Sequence, residues 1–122
     1  MSRAEVDRLD DIRVACEAIM SYAARSGVPD DLVFDAIRIR LVEIGEAVKD
    51  LGEPTRRLEP GIPWAEITRM RDLLAHRYFD TPHAIVTATA RNDIPELADT
   101  VSRLQDRLGR ARLSDGRPSP DS

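Results

Sequence analysis

Apolar residues return every three or four positions along most of the chain, and that spacing constrains the fold more than any other feature. Leu9, Ile12, Cys16, Ile19, Met20 and Ala23 form one series. Val33, Ile37, Leu41, Ile44, Val48 and Leu51 form a second, Trp64, Ile67, Met70 and Leu74 a third, and Leu97, Val101, Leu104 and Leu108 a fourth. An α-helix turns about 100° per residue, so each series lies on one helical face. No stretch shows the alternation of a half-buried strand. The pattern predicts an all-α protein, an up-and-down bundle of four to five helices. Large aromatic residues are few, so its core must be built from Leu, Ile, Val and Ala.

Local signals set the boundaries. Ser2 and Glu5 have capping-box spacing, which starts helix one near residue 3. Ser26, Gly27 and Pro29 end it near residue 25. Asp30 or Asp31 can cap helix two, and Gly52 ends it. Residues 53–63 hold three prolines and a glycine and are expected to form a loop. Helix three starts near Pro63. Thr81 and Pro82 are a cap and first-turn proline for helix four, and Asp93 with Pro95 marks a kink or restart. Residues 1–112 are expected to form one helical domain, and 113–122, which include "SDGRPSPDS", a disordered tail.

Charge and composition exclude several classes. The net charge of −4 argues against a general nucleic-acid coating protein, though not against a local phosphate site. No apolar run approaches a membrane span. The N-terminus "MSRAEVDRLDD" carries charges where a signal peptide needs an apolar run, so a cytoplasmic location is expected. Cys16, the only cysteine, falls at an apolar helical position and reads as a buried small hydrophobe. Two histidines and one cysteine offer no metal-ligand spacing, and no metal or cofactor is expected.

The stretch "RMRDLLAHRYFD", residues 69–80, concentrates polar chemistry. Asp72 and His76 are four apart, so they share a helical face and can hydrogen-bond. Arg71 lies five residues before His76, on a neighbouring face, and Tyr78 lies two beyond it. A histidine can take and give a proton near neutrality. An arginine offers a permanent forked charge to a phosphate. Together they suit RNA cleavage without metal. Histidine takes the ribose 2′-hydroxyl proton, and arginine stabilises the charge on phosphorus. DNA lacks that hydroxyl. Spacing alone leaves a blander reading open, in which a helix-end histidine answers the helix dipole and the charges form ordinary surface pairs. One helix also supplies one histidine only; a two-fold dimer through this helix would supply the second.

"RDLLAHRY" resembles the R-x4-H-x-Y motif of HepT-like HEPN-domain ribonuclease toxins. "LVEIGEAVKDL" at 41–51, "IPWAEITRMRDLLAHRYFD" at 62–80 and "IVTATARNDIPEL" at 85–97 resemble the family's successive segments, in order and spacing, over roughly residues 4–108. The resemblance implies a dimeric helical bundle acting as a metal-independent endoribonuclease toxin. It also implies an antitoxin partner, a nucleotidyltransferase of the MNT type, which transfers AMP to the motif tyrosine. Arg71 and His76 match the catalytic pair, and Tyr78 matches the modified tyrosine. Asp72 stands where relatives often carry asparagine; it would support His76 but repel a phosphate. The rival from another class is a non-catalytic HEPN module that binds a nucleotide or a protein.

Other positions have structural expectations. Gly45 lies inside helix two, at a cost of about 1 kcal/mol relative to alanine, and close helix packing is its expected reason. Glu46 either faces solvent or pairs with an arginine near the site. His83 is expected to be solvated or capping, and Trp64 to be core or dimer contact. Arg103, Arg107 and Arg110 make a basic stripe, expected to be solvated.

Overall fold

A computed structural model describes residues 3–76 and 83–114, with side chains only as far as 109 in the last segment. Helix α1 spans Arg3–Ala24, α2 Asp30–Lys49, α3 Glu53–Arg57 and α4 Trp64–His76. Further along the chain come α5 (His83–Ala88), a π-helical turn (Thr89–Asp93) and α6 (Ile94–Ser114). There is no strand among the described residues. The protein is all-α, as the apolar spacing predicts. Residues 115–122 of the expected tail, and the Thr81-Pro82 cap, lie outside the described residues.

The apolar series become the core. Leu9, Ile12, Cys16 and Ile19 of α1 meet Phe34, Ile37, Leu41, Ile44 and Val48 of α2, and all are buried. Val86, Ala90, Ile94, Leu97, Val101 and Leu104 continue one buried stripe from α5 through α6. Each fully buried Leu, Ile or Val side chain contributes roughly 1.5–3 kcal/mol against conformational entropy. Burial also pushes the Cys16 thiol up to about 12, consistent with an inert core residue.

Cross-helix contacts give the directions. Glu5, near the start of α1, accepts hydrogen bonds from Gly52 N (2.5 Å) and Thr55 Oγ1 (2.9 Å), just past the end of α2. Tyr22, near the end of α1, bonds Arg40 in the middle of α2 at 3.3 Å. The two helices are therefore antiparallel. At the other end His83 stacks on Phe34 near the start of α2, with ring centroids 3.8 Å apart. Arg107, late in α6, donates to Leu58 O at 3.1 Å, beyond the end of α2. The α5–α6 rod therefore runs in the direction of α2, with α1 packed against both α2 and α6, and α4 packed against α2.

Two expectations need correction. Residues 53–57 are a short helix rather than loop. Gly52 precedes it in extended conformation, Pro54 pre-sets its first turn, and the Glu5 carboxylate holds the Gly52 amide. Pro29 rather than an aspartate occupies the cap position of α2, with Asp30 and Asp31 in its first turn. His83 is exposed, as expected, and its ring also stacks on Phe34. Arg103 and Arg107 are exposed, as expected, and also reach Glu59, at 3.6 and 3.3 Å. The expected restart at Pro95 is the π turn. Pro95 has no N–H, and its ring would strike the carbonyl four residues back. The wider turn relieves this, with Ile94 N–H bonding Thr89 O five residues back.

Trp64 is core, with only 8% of its surface exposed. Its Nε1 donates to the carbonyls of Arg56 and Glu59, both at 3.1 Å. These bonds fix where α4 begins, and so where it crosses α2.

Candidate functional site

The site forms where α4 crosses α2, and the crossing depends on a missing side chain. A Cβ on Gly45 would lie 2.2 Å from Arg71 Cβ and 2.6 Å from its Cγ. No real Cβ comes so close, so only glycine lets α4 lie this near. Close packing is the role expected for Gly45.

The approach delivers the stem of Arg71 onto α2, where its guanidinium is held on both sides. Arg71 Nη2 pairs with Glu46, the next residue after Gly45. Arg71 Nη1 donates to Asp72 Oδ1 at 2.9 Å. Its Nε is buried and has no hydrogen-bond partner among the described residues. The side chain of Arg71 is 22% exposed, whereas those of Glu46 and Asp72 are about half exposed. Asp72 Oδ1 also accepts from Lys49 Nζ at 3.2 Å. Of the two alternatives for Glu46, the structure has the arginine pair.

The electrostatics follow from these bonds. The Arg71 hydrogen bond, then that of Lys49, holds the Asp72 carboxyl below the usual carboxylate range. Arg71 is raised above its ordinary value, first by Asp72. Two carboxylates and two cations leave the cluster formally neutral.

His76 is the last residue of α4 and is exposed. It stands about 7.5 Å along the axis from Arg71, at the helical rise of 1.5 Å per residue. Asp72 turns towards Arg71 and Lys49, and the bond to His76 that their spacing allows is not formed. Tyr78 lies outside the described residues. The structure thus unites Arg71 and Asp72 and puts His76 one turn further on. It adds Lys49, which sequence reasoning had not placed at the site, and Glu46, for which an arginine pair was one of two alternatives. The signal for them was their position one and four residues after Gly45, on the part of α2 that meets α4.

Away from this cluster, a depression of about 390 Å³ is lined by Leu41, Ile44, Ile67, Met70, Ile94 and Leu97. Glu66, Asp93 and Glu96 also line it. An apolar groove with acidic groups does not suit a polyanion.

The chain is similar over most of its length to known proteins. A family model described as "Ribonuclease HepT-like" matches residues 9–104. A "Probable ribonuclease HepT" of Thermococcus cleftensis is 37% identical over 109 residues, covering 86% of this chain and 99% of that protein. A candidate RNase of Caldanaerobacter subterraneus is 33% identical over 96 residues, covering 79% and 86% respectively. No solved structure is a significant match.

Proposed function

The chain belongs to the HepT-like ribonuclease family, and on that premise we propose that it is a toxin that cuts RNA through the ribose 2′-hydroxyl without a metal ion. The observation that carries the reading is Arg71. It is a half-buried arginine whose stem packs on Gly45 and whose guanidinium is held by Glu46 and Asp72, one turn from an exposed histidine on the same helix.

Each group has one task. His76 takes the proton of the 2′-hydroxyl as its oxygen bonds to phosphorus. Arg71 faces the negative charge that builds on the non-bridging oxygens. The P–O5′ bond breaks, and the 5′-oxygen receives a proton. On one helix Arg71 and His76 point about 140° apart, five residues at 100° each. A two-fold dimer resolves this, with His76 of the partner subunit as the acid for the leaving oxygen. Leu32 and Ile39, seven residues apart on α2, are 58% and 51% exposed and supply apolar surface for such an interface.

The test is RNA cleavage in excess EDTA. Fragments ending in a 2′,3′-cyclic phosphate are the expected product. RNA bound but left intact would favour a non-catalytic binding module, and cleavage that stops on chelation would overturn metal independence.

Control of the toxin belongs to the same reading. A nucleotidyltransferase antitoxin of the MNT type transfers AMP from ATP to the Tyr78 hydroxyl, releasing pyrophosphate. The added phosphate then competes for Arg71, and the nucleoside blocks the cleft. Incubation with the antitoxin, ATP and magnesium is expected to add one or more AMP masses to the intact protein. A gain that persists in Tyr78→Phe would move the modification elsewhere.

A further inference from the structure

Arg71 meets its substrate already engaged. A phosphate can reach only the terminal end of the guanidinium, because Nε is buried. Both terminal nitrogens are held, one by Glu46 and one by Asp72. Phosphate binding therefore competes with a carboxylate, and the two carboxylates are not equally free to leave. Glu46 has no second cation among the described residues. Asp72 Oδ1 already accepts a second bond from Lys49 Nζ, at 3.2 Å.

Resting on the reading of Arg71 as the phosphate-binding group, we propose that Lys49 is a positioning residue for RNA, taking up the Asp72 carboxylate when a backbone phosphate displaces it from Arg71. The local chemistry suits that exchange. Lys49 ends α2 four residues after Gly45, on the face that meets α4, and its side chain is 40% exposed. It is the only lysine of the chain. A flexible ammonium can follow a moving carboxylate, where a guanidinium fork would demand fixed geometry. While Asp72 stays on Arg71 the cluster is formally neutral and offers a phosphate little attraction. Once Asp72 rests on Lys49 alone, the end of Arg71 facing it is open.

The test is a double-mutant cycle on binding of a 2′-O-methyl RNA oligonucleotide, which has no nucleophile and cannot be cut. Fluorescence anisotropy gives Kd for each variant. Lys49→Gln is expected to weaken binding about threefold, and Asp72→Asn to tighten it about as much, the scale of an exposed ion pair. In the Lys49→Gln/Asp72→Asn double variant, Kd is expected to return to within about twofold of Asp72→Asn alone, because there is no carboxylate left to receive. A Lys49→Gln loss that persists undiminished in the Asp72→Asn background would overturn the proposal, since Lys49 would then act on RNA directly. No loss in either background would overturn it too. Wild-type protein that fails to bind, or Arg71→Ala that binds equally well, would instead remove the phosphate-site reading of Arg71, and this role of Lys49 with it.

Discussion

His76→Ala is expected to lower the rate of RNA cleavage by about 10²–10⁴-fold, the usual range for removing a general acid or base. The same variant is expected to unfold at the wild-type temperature. His76 is exposed at the end of α4 and packs into no part of the core. Lost activity with unchanged stability is therefore a chemical effect and not a structural one. Arg71→Ala behaves differently. It also removes rate, by about 10²–10³-fold as for loss of one charge-stabilising donor. But it strands Glu46 and part of the hydrogen bonding of Asp72, so a small stability loss accompanies it. Initial rates beside thermal unfolding curves separate the two cases. Cleavage at the wild-type rate in a clean His76→Ala preparation would remove the histidine from the mechanism.

Gly45→Ala is expected to reduce both stability and cleavage, against its helix propensity. Alanine in a helix interior is better than glycine by about 1 kcal/mol. At Gly45 the new Cβ would lie 2.2 Å from Arg71 Cβ. That atom is anchored to the backbone and cannot swing aside, so α4 itself must move. Overpacking of this kind costs about 1–3 kcal/mol, more than the propensity gain at most of that range. The shift also displaces the guanidinium, and a misplacement of about 1 Å at a reacting centre can cost 10²-fold in rate. Gly109→Ala is the internal control. It lies in α6 with nothing within 4 Å of its would-be Cβ, so the same change is expected to stabilise. Chemical denaturation of the two variants gives opposite signs if the close crossing of α2 and α4 is real. Stabilisation by Gly45→Ala would mean that the helices do not approach so closely.

The helices and their core were legible because helical periodicity is a local property. Leu9, Ile12, Cys16 and Ile19 lie on one face of α1 whatever surrounds them, and that face must be buried. Pro95 likewise announced a break through its missing N–H, and only the form of the break, a π turn, needed the structure. The polar residues of the site were legible as a cluster because Arg71, Asp72 and His76 share one helix. Their partners were not. Between Asp72 and its neighbour four residues on, sequence spacing suggested a bond to His76. The tertiary structure instead gave Asp72 to Arg71 and Lys49, because Gly45 lets α2 pass close enough to compete. Residues 53–57 became helical for the same kind of reason, with a carboxylate from α1, some fifty residues earlier, holding the first amide. The sequence by itself determined which faces are apolar and which residue types gather at the end of α4. The distance between two helices decided which charges meet, since that distance is a property of both surfaces and neither helix carries it alone.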